Sequence, residues 1–191
     1  MNPAEKMDHI YTVKEYLAWP DDERWELING LAYCMSPAPS IRHQQVVLAF
    51  GRIVKNRLTN NSCMVGVAPI DVVLSEHDVV QPDVIVVCDR KKITEANIQG
   101  APDLVVEVLS PATAIRDKKD KKALYEKHGV REYIIIDPTG RYVERFVLID
   151  GVYGLPDILG PEETLILHSL NGMEIQLNDV FELEAQTSLS S

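Results

Sequence analysis

An apolar segment with one carboxylate at its centre constrains the fold of this 191-residue chain more than any other feature. Leu104–Leu109 reads L-V-V-E-V-L, and its length and β-branched residues are typical of a strand inside a sheet. Burying the Glu107 carboxylate without compensation would cost several kcal/mol. The sequence therefore predicts that a cation, a metal ion or a proton accompanies Glu107 in the folded protein.

The residues after this strand predict a strand–helix–strand unit. A helical segment covers Ile115–His128 and stops at Gly129, and a second apolar strand covers Glu132–Ile136. Strand, helix and strand in this order are typical of a βαβ crossover. Glu107 belongs to this unit, so any function assigned to the chain has to account for its carboxylate.

Lys121 is the basic residue of this helix that falls on the inward face of the helical pattern. It shares that face with the apolar residues Leu124 and Tyr125. A lysine on a buried face either extends to solvent or meets a negative partner. We expect that partner to be the Glu107 carboxylate, a bound phosphate or both. A purely structural ion pair between Glu107 and Lys121 is the alternative.

Two further carboxylates stand where the strand pattern favours apolar residues or a strand end. Asn29-Gly30 between two apolar runs predicts a type I′ hairpin turn, which places Glu26 opposite Tyr33. Asp83 opens another apolar strand. Alone, these acids are also explained as a hairpin edge and a strand-entry turn. Clustered with Glu107, they would need a cation, and oxygen ligands suit Mg²⁺ or Mn²⁺, whose bound water can hydrolyse a phosphodiester.

Two helices are predicted before the central unit. Thr12 is the expected N-cap of a short helix that extends to Trp19, and a long helix covers Ile41–Leu58. His43 lies on the first turn of the long helix, on the stripe that faces the core. We interpret it as a hydrogen-bonded histidine at the core edge, with a role beside the site as the alternative.

Antiparallel hairpins are predicted in the last third of the chain. A turn at Asp150-Gly151 joins the strand Tyr142–Ile149 to the next one. Asn171-Gly172 is a second type I′ signature, here between the strands Thr164–Leu170 and Met173–Leu177. Together these patterns predict one α/β domain over residues 1–184, with residues 185–191 as a disordered tail.

Composition limits the partners of the chain. The net charge of −10 argues against broad, non-specific affinity for nucleic acid. Basic residues are nevertheless concentrated in two segments. Residues 40–60 contain four basic residues and no acidic residue, and residues 116–131 contain seven basic and three acidic residues. These segments indicate either solvated helix faces or a local surface that faces phosphate groups.

The lack of a recognisable targeting signal and the spacing of the cysteines suggest a cytoplasmic protein. The first residues are polar and do not resemble a secretory signal, and no apolar run approaches the roughly 20 residues that span a bilayer. Cys34, Cys63 and Cys88 are odd in number and far apart, and no C-x-x-C pair occurs. We therefore expect reduced, partly buried thiols and no disulfide or zinc site.

Five motifs, in order along the chain, together resemble the Uma-two family of restriction-endonuclease-like proteins, within the PD-(D/E)XK nuclease superfamily. They are E-L-I-N-G-L, S-P-A-P-S-I-R-H, Q-P-D-V-I-V-V, P-D-L-V-V-E-V-L-S-P-A-T and R-D-K-K-D-K-K-A-L-Y-E-K-H-G-V-R-E-Y-I-I-I-D-P. The resemblance extends over residues 10 to 180 or so. It implies a restriction endonuclease-like core, a mixed β-sheet flanked by helices, to which the β-hairpins predicted above are added.

The resemblance also implies a set of site residues. Asp83 and Glu107 match the acidic residues that bind the metal ion, and Glu26 matches the N-terminal acid of the set. The lysine that the superfamily has two residues after the glutamate is here Leu109. Lys121 occupies the position on the following helix from which related proteins supply it.

The activity implied is Mg²⁺- or Mn²⁺-dependent hydrolysis of phosphodiester bonds, with DNA as the expected substrate and with Lys121 orienting water or stabilising charge on phosphorus. A homodimer is compatible with cutting both strands of a duplex. The alternative is a protein that kept the nuclease fold, lost the chemistry and acts as a nucleic-acid- or protein-binding accessory. The net charge and Leu109 favour that alternative.

Overall fold

The computed structural model describes residues 9–20, 24–35, 38–58 and 63–182. Within these ranges the chain forms two mixed β-sheets, a separate β-hairpin and helices packed against them. This arrangement confirms the predicted α/β class with a mixed sheet, flanking helices and added hairpins. The tail predicted to be disordered, residues 185–191, lies outside the described residues.

Fourteen strands are present in the described part of the chain. They are β1 Trp25–Ile28, β2 Leu31–Cys34, β3 Met64–Val67, β4 Val72–Ser75, β5 Asp78–Val80, β6 Val84–Val87, β7 Ile98–Gln99, β8 Leu104–Val108, β9 Glu132–Asp137, β10 Tyr142–Ile149, β11 Val152–Tyr153, β12 Asp157–Leu159, β13 Thr164–Leu167 and β14 Met173–Gln176.

The larger sheet has the order β11-β10-β9-β8-β6-β3, and β12 also pairs with β10. Strands β8 and β9 are parallel, as the predicted crossover requires, whereas the other pairs of this sheet are antiparallel. The smaller sheet has the order β2-β1-β5-β4-β7. Its β1–β2 hairpin turns at Asn29-Gly30 and pairs Glu26 with Tyr33, which confirms the predicted register.

The first three helices fall close to their predicted positions, whereas the short fourth helix was not predicted. They are α1 Val13–Tyr16, α2 Ile41–Arg57, α3, which combines Ala114–Arg116, Asp117–Lys121 and Lys122–His128, and α4 Leu177–Val180. The N-cap predicted at Thr12 is present and forms a capping box, because its hydroxyl accepts from the Glu15 amide while the Glu15 carboxylate accepts from the Thr12 amide. The middle part of α3 is π-helical, a feature that the sequence pattern did not indicate.

The larger sheet is covered on both faces. Apolar residues of α2, α4 and the β13–β14 hairpin pack against one face. Leu124 and Tyr125 of α3, together with residues of the smaller sheet, pack against the other. Glu107 alternates with Val105 and Leu109, which belong to this second cluster, so its side chain lies between the larger sheet and α3.

The expectations for the last hairpin turn and for the cysteines were wrong. Strand β13 ends at Leu167 and is followed by a short 3₁₀ turn, His168–Leu170, so the Asn171-Gly172 signature does not form a two-residue hairpin. Cys63 and Cys88 form a disulfide. The antiparallel register of β3 and β6 sets Met64 opposite Val87, and one further step brings the two cysteines face to face. This pairing depends on strand register and not on sequence spacing.

Within the described ranges, every helix is too short or too polar to span a lipid bilayer. Cys34, the remaining cysteine, is an exposed free thiol and not a partly buried one.

Candidate active site

The register of two neighbouring strands brings Asp83 and Glu107 together. Val84 of β6 pairs with Val106 of β8, so one further step along both strands sets Asp83 opposite Glu107. The backbone N–H of Val108 donates to Oδ2 of Asp83 at 2.8 Å. Two acids that are 24 positions apart in sequence thereby line one cleft.

Glu26 reaches the same cleft from the smaller sheet. The β1–β2 hairpin turns Glu26 inward, and β1 also pairs with β5, so that the residue after β5 lies close to it. The backbone N–H of Gln81 donates to Oε1 of Glu26 at 3.0 Å. The Glu26 side chain is buried and fixed at the boundary between the two sheets.

Lys121 connects the carboxylates of both sheets. Its Nζ lies 2.7 Å from Oε1 of Glu26 and 2.9 Å from Oε1 of Glu107, and the residue is only 4 % exposed. The Tyr125 hydroxyl donates to the same Glu107 oxygen at 2.8 Å. The structure thus brings Lys121 to Glu107, as predicted, and adds Glu26 to the same ion pair.

Asp117 is a fourth acid of the cleft, to which the sequence analysis assigned no role. It is 2 % exposed, and its Oδ1 lies 3.8 Å from Nζ of Lys121 and has no hydrogen-bond partner in the part of the chain that the structure describes. An acid four residues before Lys121 on the same helical face was the signal that could have indicated it.

His43 lies on the first turn of α2 and contacts Asp83. Its Nε2 is 3.2 Å from Oδ1 of Asp83, and the Ser40 side chain caps its backbone N–H. The imidazole is buried and hydrogen-bonded, as we interpreted it from the sequence. It also lies beside the site, which was the alternative. His43 and Val108 together orient the two oxygens of Asp83.

Burial dominates the electrostatics of the cluster. It raises the pKa of Glu107 well above its usual range; Lys121 opposes this rise, whereas Asp117, Asp83 and Glu26 add to it. Burial is also the main reason that the pKa of Asp117 is raised. Burial alone would lower the pKa of Lys121, but the charges of Glu107, Glu26 and Asp117 raise it above its ordinary value. The acids of the cluster therefore disfavour one another's ionised form, and Lys121 opposes this effect.

The cleft around these residues is open to solvent, with a volume of about 440 Å³. Arg24, Arg42 and Arg116 line it together with the acids. The guanidinium of Arg116 lies 4.5 Å from the centre of the Tyr33 ring. A negatively charged floor and cationic side chains in the same cleft suit a ligand that carries phosphate groups and binds a divalent ion.

The donor set fits such an ion in its chemistry. Among the described residues, no three His, Cys, Asp or Glu side chains are arranged closely enough to hold a metal ion. Mg²⁺, however, is commonly bound through one or two carboxylates and keeps water and phosphate oxygens as its other ligands. Asp83 and Glu107 supply two carboxylates, and the unpartnered oxygen of Asp117 adds negative charge nearby.

Comparison with known proteins gives a family and a fold. A model of the family Uma2, described as "Putative restriction endonuclease", matches residues 13–178. An uncharacterized protein of Synechocystis sp. is 27% identical over 137 residues, which are 70% of this chain and 72% of that protein. A second one is 28% identical over 159 residues, 79% of this chain and 89% of that protein.

The crystal structure of a putative nuclease belonging to DUF820 from Anabaena variabilis is similar with a TM-score of 0.75 and 18% identity, over 90% of this chain and 97% of that chain. This likeness confirms the restriction endonuclease-like fold. Because the family model covers most of the chain, this protein belongs to the Uma2 family of putative restriction endonucleases.

Proposed function

We propose that this protein is a divalent-metal-dependent endonuclease that hydrolyses phosphodiester bonds in DNA. The observation that carries the proposal is the convergence of Glu26, Asp83, Glu107 and Lys121 from two sheets and a helix on one open cleft. Structural carboxylates are not usually collected in this way at a solvent-facing cleft, because their mutual repulsion has to be compensated. Family membership supports the same reaction class.

Each residue has a role that follows from its surroundings. Asp83 and Glu107 would hold Mg²⁺ or Mn²⁺, which supplies Lewis-acid activation of the phosphodiester and a bound water of lowered pKa. Lys121 is protonated at neutral pH and donates from a buried position, where its charge stabilises negative charge on a phosphate oxygen. Glu26 holds the amine of Lys121 at 2.7 Å and so limits its reach.

DNA is the substrate that the charge distribution favours. Arg24, Arg42 and Arg116 lie in the cleft, where their guanidinium groups can bind backbone phosphates. Helix α2 begins at the same cleft, and a helix N-terminus attracts anions. The net charge of −10 restricts binding to this local surface.

We also infer a cytoplasmic protein that works as a homodimer. Two-fold symmetry would present one cleft to each strand of a duplex. The location is inferred from the DNA substrate alone, because a disulfide such as Cys63–Cys88 is uncommon in a reducing cytoplasm.

Plasmid digestion tests the proposal. Wild-type protein should cut supercoiled DNA with Mg²⁺ or Mn²⁺ and should not cut it with EDTA. The variant Lys121→Met should be inactive, whereas Lys118→Met should retain activity, because Lys118 points to Glu144 on the protein surface. If no divalent ion supports cleavage at high protein concentration, the nuclease proposal fails.

A second candidate is an accessory protein with the nuclease fold and no activity. The observation that favours it is the direct pairing of Lys121 with Glu107, which occupies an oxygen that a metal ion would use. Calorimetric titration with Mn²⁺ separates the two candidates. A nuclease binds the ion and loses this binding in Asp83→Ala, whereas the accessory protein shows no binding in either form.

A further inference from the structure

The Asp117 carboxyl group is held in place but is incompletely satisfied. Its backbone carbonyl accepts from the Tyr133 hydroxyl at 3.0 Å and from the N–H of Lys122, five residues on in the π-helical turn. Among the described residues, no hydrogen-bond donor reaches its Oδ1. A buried oxygen without a partner is uncommon in a folded protein and calls for an explanation.

A purely structural acid would be expected to find donors. Glu132, which is also fully buried, accepts from the backbone N–H groups of His168 and Ser169 and from the Ser169 hydroxyl. Within the described ranges, no comparable set of donors surrounds Oδ1 of Asp117. Its nearest cationic group is Nζ of Lys121, at 3.8 Å, beyond hydrogen-bond distance.

The present partners of Lys121 conflict with the proposed reaction. The amine contacts Oε1 of Glu107 at 2.9 Å, so a divalent ion that binds this carboxylate competes with the ammonium group for the same oxygen. A buried ammonium that lost this contact without a replacement would be costly. This cost would be mostly removed by another acceptor near Nζ of Lys121 that does not already accept a hydrogen bond.

We propose that Asp117 is a positioning residue: its Oδ1 accepts a hydrogen bond from the Lys121 ammonium group when Glu107 binds a divalent cation. Lys121 would then remain in the cleft, held by Glu26 and Asp117, with Glu107 free for the ion. The inference rests on the proposed metal-dependent reaction. It explains why the π-helical turn places Asp117 and Lys121 side by side on the buried face.

Calorimetric titration with Mn²⁺ tests the inference without any activity assay. Asp117→Asn should raise the dissociation constant for Mn²⁺ roughly tenfold or more, because Lys121 then has no charged alternative to Glu107. The matched control is Asp120→Asn, which removes the same charge from the same helical turn but does not line the cleft. The control should bind as the wild type does. An Asp117→Asn variant with unchanged affinity would overturn the inference.

A double-mutant cycle shows whether Asp117 acts through Lys121 or binds the ion directly. In the Lys121→Gln background the competing ammonium group is absent, so the further change Asp117→Asn should weaken Mn²⁺ binding less than twofold. An equal loss in both backgrounds would mean that Asp117 is itself a ligand, and the inference would be wrong.

Nuclear magnetic resonance provides a second measurement in case the Lys121→Gln variant does not fold. The ¹⁵N-labelled ammonium signal of Lys121 should move on saturation with Mg²⁺ in the wild type and stay in place in Asp117→Asn. A wild-type signal that does not move although the ion binds would overturn the inference and leave the proposed function intact. Wild-type protein that binds no divalent ion would end both.

Discussion

Two buried acidic regions of this protein are built in opposite ways. Asp78 accepts from the N–H of Asn29 at 2.6 Å and from the Ser75 hydroxyl at 2.7 Å, and it lies 2.9 Å from Nε2 of His128. Burial alone would raise its pKa, but these hydrogen bonds hold the pKa below its ordinary value. Each oxygen of this carboxylate has at least one donor.

The cleft cluster lacks this balance. Glu107 and Asp117 both have a raised pKa, chiefly through burial, and one oxygen of Asp117 has no partner among the described residues. The burial of these two acids is thus not offset by hydrogen bonds as it is at Asp78. This contrast agrees with the proposal that the cleft acids bind a ligand, whereas the surroundings of Asp78 are those of an acid that stabilises the fold.

The largest expected effect is on cleavage and comes from Glu107→Gln. The substitution keeps the size of the side chain and an acceptor for Tyr125, but removes the negative charge that we assign to metal binding. DNA cleavage should fall at least about a hundredfold. The free energy of unfolding should change by no more than about 1 kcal/mol, because the amide oxygen of Gln can still accept from Lys121 and Glu26 keeps its ion pair with the same amine.

Single-turnover cleavage and urea unfolding of the same preparation measure both quantities. If Glu107→Gln retained activity and lost several kcal/mol of stability, Glu107 would belong with Asp78 as a structural acid, and the contrast would disappear.

Asp78→Ala should produce the reverse pattern. It leaves the N–H of Asn29 and the Ser75 hydroxyl without their acceptor in a buried position, so the free energy of unfolding should fall by about 3 kcal/mol. Cleavage per folded molecule should be unchanged, because Asp78 does not line the cleft. Thermal unfolding and an assay below the melting temperature provide the check, and a selective loss of activity would contradict it.

Local sequence signals were sufficient to predict much of this architecture. The Asn29-Gly30 turn fixes the register that points Glu26 inward, and the strand–helix–strand unit places Lys121 over Glu107. Both depend on residues that are near in sequence, where turn type and helical periodicity determine which side chains meet.

The parts that could not be predicted depend on contacts between distant segments. His43 meets Asp83 across 40 residues, and the Cys63–Cys88 disulfide follows from the register of β3 and β6. The π-helical geometry between Asp117 and Lys121 has no pattern in the sequence, although helical spacing alone places both residues on one face. Propensity and periodicity do not encode such pairings, because they arise only when the sheets and helices pack together.

The two regions should respond to pH with opposite signs. The pKa of Asp78 is lowered in the folded state, so its contribution to stability is complete above the ordinary value of 3.8 and is lost as the pH falls through the folded-state value. The pKa of Asp117 is raised, so the folded state binds more protons above 3.8, and its stability falls as the pH rises towards the folded-state value.

Unfolding free energies between about pH 3 and about pH 7, without divalent ions, test these signs. The loss of unfolding free energy in Asp78→Asn relative to the wild type should increase with pH. The unfolding free energy of Asp117→Asn should instead rise relative to that of the wild type over the same range. Parallel curves for both variants would show that the two environments do not differ.

The smallest effects are expected when a single hydroxyl donor is removed from each region. Tyr125→Phe removes one of two donors to Oε1 of Glu107, and Ser75→Ala removes one donor to Oδ2 of Asp78. Each should cost about 1 kcal/mol of unfolding free energy, with Tyr125→Phe at or below Ser75→Ala, because Lys121 still occupies the Glu107 oxygen. Urea unfolding at neutral pH resolves this order. A loss near 3 kcal/mol in Tyr125→Phe would contradict this prediction. It would mean that the Tyr125–Glu107 hydrogen bond stabilises the fold more than is expected for a ligand-binding carboxylate.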